Sequence, residues 1–500
     1  MRRYIKRQII DMIESMLQAC DYLRKSIGQN TMSSYVELRN DLDACVECIL
    51  VYSAEESKVF PNFQESVFAF SRYSAFFFEE KNIEKKKSDN MSMIKSLESA
   101  LNILINDIPN DRLEIVFMPY KADMWFSMET IWEAALEDDE CNVKVVPIPY
   151  FDITNPRNIS LHYEAERFPS KVECVHYNQY SEAKSHPDII VIHNPYDDAN
   201  NMTRVPERFY SSVLKQNTGK LVYSPYHTFA TYSGDRNIPL LAAPATLNSD
   251  VIICQSRRLK EIYEEIGFPK DMLVDFGSPK IDAIVNNKNA KVEIPEDWKK
   301  KISNKKVFLL NTHLSYFPTA EQLKEKVGNY AIRYHEEIAK AFLNRDDCVL
   351  IWRPHPLMKN MLEGRFTQCL EYVNDFEQRV RNADNGIIDN LGDYRISFSC
   401  SDAMISTWSS LINEYMVTQK PIMIFQSQIE KEVADKSPIN CNVNYFRFGK
   451  GNLTFEQFRD NIVNGIDPKF EERIAEINKA FPNLDGTAGK KIYRYLKEQS

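Results

Sequence analysis

Between residues 113 and 276, short runs of apolar, β-favouring residues alternate with helical stretches, and the alternation restarts at residue 307. A strand that is apolar along its whole length has to be buried on both faces. Helices between successive strands provide that cover, so such a chain folds as a parallel sheet. Strands are expected at 113–118, 143–148, 188–193, 221–224, 251–255 and 273–276, then at 307–311, 349–352, 386–388, 403–406 and 421–425. Helices are expected between them, at 124–136, 206–215 and 259–267, then at 320–343, 358–381 and 410–417, with more helix from 454 onward. A polar, lysine-rich stretch at 288–306 separates the two series. The expected fold is therefore α/β, with two facing Rossmann-like domains, 111–290 and 291–500, the second carrying the C-terminal helices.

Residues 1–110 are expected to be a helical region, because Ile5, Ile9, Ile10, Ile13, Met16 and Leu17 recur at helical spacing, as do Leu38, Leu42, Cys45 and Ile49. The charged run at 79–90 is read as an exposed connection. Arg2, Arg3, Lys6 and Arg7 offer two readings, a peripheral anchor for anionic lipid or the solvated start of a packed helix, and the second is preferred. The most apolar stretch, 67–78, is interrupted by Ser71, Arg72 and Ser74 and is shorter than the ~20 residues a bilayer span needs. A cytoplasmic protein is expected, with contact at the inner face of the cell membrane left open, as is the oligomeric state.

Composition removes several classes of function. A formal net charge of -9 gives no reason to expect nucleic acid as a partner. The 10 cysteines include a single C-x-x-C, Cys45 and Cys48, with no second pair at zinc-finger distance, so they read as ordinary thiols. Neither α/β series opens with a P-loop or a G-x-G-x-x-G, which argues against an ATPase or a dehydrogenase. The Asp197-Asp198 and Asp138-Asp139-Glu140 clusters have the oxygen ligands that hard cations take, but Asp138-Asp139-Glu140 sits at a helix end far from a strand terminus and reads as solvated. No metal and no cofactor are expected.

Ligands of such sheets sit beyond the carboxyl ends of the strands. After the 403–406 strand come Thr407, Trp408, Ser409 and Ser410 and then a helix, a layout suited to a diphosphate at the first free amides. Plain capping of the helix by Ser409 is the competing reading. After the 349–352 strand comes Arg353-Pro354-His355-Pro356, an arginine fork suited to phosphate and a histidine able to donate to a phosphate or leaving group. After the 221–224 strand come Tyr226 and His227, which would face His355 if the domains oppose one another and would serve as general base toward an acceptor hydroxyl. Asn311-Thr312-His313 and His193-Asn194 occupy equivalent strand ends.

Gly277-Ser278-Pro279-Lys280-Ile281-Asp282, the Arg353–His355 turn and the S-D-x-x-I-S-T-x-S-S run from Ser401 to Ser410 together resemble the CDP-glycerol glycerophosphotransferase family of teichoic-acid-type synthesis. Met124-Trp125, Ile131-Trp132-Glu133-Ala134-Ala135 and Val146-Pro147-Ile148-Pro149-Tyr150 extend the resemblance to roughly residues 113–430. It implies a GT-B-like fold and a CDP-alcohol donor held mainly by the C-terminal domain, with Arg353, His355, Ser409 and Ser410 on its phosphates. Thr407 belongs with these donor-phosphate residues, and Gly277, Pro279, Asp282, Asn311, Thr312 and Tyr226 are further cleft candidates. His227 is the closest match to the family's base, although Thr228 follows it where the family has glycine. The expected partners are a CDP-alcohol or other nucleotide-activated donor and a polyol-phosphate or glycan acceptor. The expected function is transfer of glycerol phosphate or a similar polyol phosphate in cell-wall or surface-polymer synthesis. A GT-B glycosyltransferase using a nucleotide sugar, and a non-catalytic binding or scaffold protein, are the alternatives.

Overall fold

The computed structural model describes residues 1–25, 32–53, 61–77, 90–289, 293–313, 329–365, 367–448, 452–481 and 483–500. The charged run at 79–89, residues 290–292 of the lysine-rich stretch and residues 320–328 of an expected helix lie outside them. The chain divides into two compact units. The first is Met1–Glu114 with Asp139–Asn142 and His186–Asp188; the second is Ile115–Asp138, Val143–Ser185 and Ile189–Ser500.

In the first unit the helices Arg3–Lys25, Met32–Ser53, Pro61–Phe77 and Asn90–Asp107 share one core. Ile5, Ile9, Ile13, Met16, Cys20 and Leu23 form the buried stripe of the first helix, as the helical spacing requires. Two of the basic residues weighed as a lipid anchor are engaged within this unit: Arg3 and Lys6 both bind Asp111, at 2.8 and 3.2 Å. Among the described residues no helix is long and apolar enough to cross a membrane.

Apart from the first residues of β1 and β2, the strands belong to the second unit. They are β1 (Leu113–Met118), β2 (Cys141–Val145), β3 (Tyr150–Asp152), β4 (Ser160–His162), β5 (Ile189–Ile192), β6 (Thr203–Arg204), β7 (Lys220–Tyr223), β8 (Val251–Ile253), β9 (Leu273–Val274), β10 (Lys306–Thr312), β11 (Cys348–Pro354), β12 (Gly386–Ile388), β13 (Ala403–Ser406), β14 (Ile422–Ile424) and β15 (Tyr445–Phe446). The first large sheet runs β2-β1-β5-β7-β8-β9 and the second β12-β11-β10-β13-β14-β15, with β3, β4 and β6 in a small antiparallel sheet. Strand order reverses beside β1 in the first sheet and beside β10 in the second, and such reversals open a crevice at the carboxyl ends.

The second sheet shows why its strands are apolar throughout. Phe308, Leu310, Leu350, Trp352 and Ile405 point into one core, and Val307, Leu309, Val349, Ile351 and Met404 into another. That is the period-2 alternation of a sheet covered on both faces. Register then sets the polar edge: Asn311 pairs with Arg353 on one side and with Ser406 on the other.

Three expected helices are interrupted. The 206–215 stretch is a 3-10 turn, Glu207–Phe209, followed by the helix Ser211–Gln216. The 124–136 stretch is a 3-10 turn, Ala122–Ser127, followed by the helix Glu129–Leu136, and the 358–381 stretch is two helices, Met358–Arg365 and Thr367–Asn382. The last helix, Ala488–Glu498, packs on Glu129–Leu136 so closely that a Cβ on Gly489 would lie 2.3 Å from Thr130 Oγ1. Tyr493 and Lys497 both donate to Asp138, at 2.8 and 2.7 Å. Contrary to the solvated position its sequence context suggests, the Asp138 carboxylate anchors the returning helix.

Candidate functional site

The reversal beside β10 gathers the first set of candidates. Asn311 Nδ2 donates to Ser406 Oγ at 2.8 Å and to Ser409 Oγ at 2.9 Å, and the His313 amide donates to Thr407 Oγ1 at 2.9 Å. Thr312 is occupied on the other face of β10, where its hydroxyl accepts from Trp352 Nε1 at 3.0 Å. The helix after this turn is short, Leu411–Met416, and its N-cap, Ser410, makes no side-chain capping bond. Ser409 likewise spends its hydroxyl on Asn311 rather than on the helix. The amides of Ser409, Ser410 and Leu411 have no acceptor among the described residues, so three consecutive donors stand free at a half-exposed turn. Free amides next to hydroxyls form a seat for phosphate oxygens.

Arg353, near the end of β11, and His355, just past it, lie beside this turn. Arg353 is buried, and Nη1 donates to Asp389 Oδ2 at 2.9 Å and to the Leu391 carbonyl at 2.8 Å. Asp389 is itself held by the Ser397 hydroxyl and the Leu391 amide. The guanidinium is thus fixed through one nitrogen. A cavity of about 310 Å³ opens at this point, lined by Arg353, His355 and Asp389, with Asp123 and Arg167 contributed by the half built on the first sheet.

His355 Nδ1 accepts from the Leu357 amide at 3.1 Å. This bond assigns the ring proton to Nε2, leaving Nε2 as a donor. Burial, and then the charges of Lys121, His313 and Arg353, hold its pKa well below the usual histidine value. Its ring meets His313 edge-on at 5.7 Å.

Tyr226 and His227 follow β7. Burial, then the charge of Lys280, lowers the pKa of His227 to about 4, and its Nδ1 has no hydrogen-bond partner among the described residues. The turn is fixed through its backbone. Gln255 Nε2 donates to the His227 carbonyl at 2.6 Å, Lys280 Nζ to the Tyr226 carbonyl at 2.6 Å, and Asn413 Nδ2 to the Thr228 carbonyl at 3.1 Å. Lys280 also forms an ion pair of 2.7 Å with Glu414, whose side chain is fully buried. One lysine therefore ties the His227 turn to the helix that follows Ser409 and Ser410.

The remaining candidates separate from this group. Gly277 has φ +107, and a Cβ there would meet Asn483 Cβ at 2.9 Å; glycine is what allows both the conformation and the approach. Pro279 begins the helix Pro279–Asn289. Asp282 is fully buried and its Oδ2 accepts from the Gly489 amide at 2.8 Å, so it secures the C-terminal helix. Asp197, of the acidic pair, accepts from the Ser211 amide and hydroxyl at 2.9 and 2.6 Å, which makes it a helix-capping residue.

Burial raises the pKa of Asp282 from 3.8 to about 7. A carboxyl whose folded pKa lies above its unfolded one stabilises the fold below about pH 4, and that contribution is lost as pH rises through 7. Asp282→Asn is expected to remove a decline on the order of 3–4 kcal/mol between pH 4 and pH 8, read as urea midpoints across that range. An unchanged pH profile would contradict the assignment.

Lys121, Lys280 and Glu414 went unrecognised in the sequence. Lys280 lies within the Gly277–Asp282 run and Lys121 three residues past the end of β1, so motif membership and strand-end position were the available signals. His193, at the end of β5, is fully buried, with Nε2 accepting from the Tyr120 amide at 3.0 Å and a pKa lowered to about 3, chiefly by burial.

Residues 241–498, just over half of the chain, match the family described as CDP-glycerol:poly(glycerophosphate) glycerophosphotransferase. The teichoic acid ribitol-phosphate polymerase TarL of Staphylococcus aureus (strain NCTC 8325 / PS 47) is 25% identical over 241 residues, 47% of this chain and 38% of that protein. The match thus spans little more than a third of that relative's length. A UDP-N-acetylglucosamine 2-epimerase structure from Listeria monocytogenes aligns with a TM-score of 0.50 at 12% identity, covering 78% of this chain and 96% of that one, a likeness of fold alone. The wall teichoic acid polymerase TagF gives 0.48 at 16% identity, covering 86% and 98%. The two parallel sheets make a GT-B-like fold. The runs 277–282, 353–356 and 401–410 all fall inside the matched region, and the chain belongs to the CDP-glycerol:poly(glycerophosphate) glycerophosphotransferase family.

Proposed function

We propose that the chain moves glycerol phosphate, or a similar polyol phosphate, from a CDP-activated donor to an acceptor hydroxyl in the synthesis of a wall or surface polymer. The observation that carries this reading is the bridge through Lys280, which joins the turn bearing His227 to Glu414 in the helix after Ser409-Ser410. It joins a candidate base to a candidate diphosphate seat.

His227 takes the proton of the acceptor hydroxyl, and that oxygen attacks the donor's β-phosphorus. The bond from the β-phosphorus to the oxygen bridging the two phosphates breaks, and CMP leaves. Arg353, the Nε2–H of His355 and the free amides of Ser409, Ser410 and Leu411 face the charge spreading over the phosphoryl oxygens. Burial, helped by the charge of Lys280 at His227 and by those of Lys121, His313 and Arg353 at His355, holds the pKa of both rings below the usual histidine value. An arriving diphosphate offsets these positive charges and raises the proton affinity of both rings. His227 lies ahead of the family-matched region, so the base rests on the geometry of its turn.

Incubation with CDP-glycerol and a polyol-phosphate acceptor is expected to release CMP in step with acceptor extension. Turnover of a nucleotide sugar with no CMP from any CDP-alcohol would replace this reading with that of a glycosyltransferase.

A further inference from the structure

Lys121 follows β1 at the place where strand order in the first sheet reverses, the position at which open α/β sheets bind ligands. It is buried, at 8% exposure. A buried ammonium normally has a counter-ion, yet among the described residues none lies within ion-pair distance. Its Nζ instead lies 4.7 Å from the Tyr150 ring centroid and 5.5 Å from that of Tyr120.

The acids around it are committed elsewhere. Glu164 receives the Tyr150 hydroxyl at 2.6 Å, the Ala122 amide at 2.9 Å and Arg167 at 3.0 Å. Asp152 receives the Thr154 amide and hydroxyl, at 2.9 and 2.6 Å, and Asn360 at 2.6 Å. Asp123 receives Arg167 at 3.0 Å. Burial accordingly pushes the lysine's pKa below its ordinary value, against the opposing pull of Glu164, Asp123 and Asp152. Its charge is also among those that lower the pKa of His355, in the second half, after burial.

We propose that Lys121 is an anion-binding residue whose missing counter-charge is a phosphate-ester oxygen, carried either by the polyol-phosphate acceptor or by the donor's diphosphate. The reading given under Proposed function supplies the names of these two sources and nothing else. Both bring an oxyanion to a desolvated ammonium, where a charge-assisted hydrogen bond is strongest.

Titration calorimetry of the full chain with glycerol 3-phosphate and, separately, with CDP tests it in wild type, Lys121→Met and Lys121→Arg. Lys121→Met is expected to weaken one probe by about 10–100-fold, with partial recovery in Lys121→Arg. Loss of glycerol 3-phosphate binding assigns the acceptor, and loss of CDP binding assigns the donor. Because an unpaired buried charge is removed, Lys121→Met is expected to keep or raise the melting temperature. Wild-type affinity for both probes in Lys121→Met overturns the proposal, as does a wild type that binds neither, or a melting temperature that falls in Lys121→Met. Lys121-dependent phosphate binding without CMP release would instead sink only the transferase reading.

Discussion

His227→Gln is expected to lower kcat by about 10²–10⁴-fold while CDP affinity stays at the wild-type level. Glutamine fills much of the same space and leaves the backbone bonds from Gln255, Lys280 and Asn413 in place, so the turn keeps its position. What is lost is a ring nitrogen able to take a proton, and Nδ1 has no hydrogen-bond partner among the described residues. The pH dependence carries a second signature. With its pKa lowered to about 4, chiefly by burial, His227 stays unprotonated well into mild acid. The acidic limb of kcat/KM, which reports the free enzyme, should lie near pH 4 and not near the usual histidine value. The limb of kcat should lie higher, since the bound diphosphate favours the imidazolium. A variant with unchanged kcat would remove His227 from the chemistry.

Lys280→Met is expected to destabilise the second unit by about 3–5 kcal/mol, because it strands the Glu414 carboxylate, whose side chain is fully buried. A loss of that size is a large fraction of the ~5–15 kcal/mol that holds a typical domain folded. The double variant Lys280→Met with Glu414→Leu removes both charges and should recover most of the loss, because breaking a buried pair costs more than replacing it. Urea midpoints of the wild type, both single variants and the double variant give the coupling directly. Additive losses in the double variant would show that the two residues do not act as a pair.

The sheets were legible in the sequence because strands buried on both faces carry continuous apolar runs, as in β5, in 115–118 of β1, in 307–310 of β10 and in 348–352 of β11. β15, with two residues, and the small sheet of β3, β4 and β6 were not, since runs this short carry no period. Motif positions at strand ends led to the neighbourhood of Asn311, Arg353, His355 and Ser409, which the register of β10 with β11 and β13 places side by side. Roles set by long-range contacts were out of reach. A lysine reads as surface charge until the fold buries it, as with Lys121 and Lys280. Asp282 reads as a cleft residue until the last helix returns to bind it through Gly489.

An experimental structure with bound CDP-glycerol tests the central claim most directly. The account predicts the diphosphate within hydrogen-bond distance of His355 Nε2 and the amides of Ser409 and Ser410, with the β-phosphorus facing His227. A diphosphate seated away from the turn after β13, or a glycerol moiety directed away from His227, would contradict it.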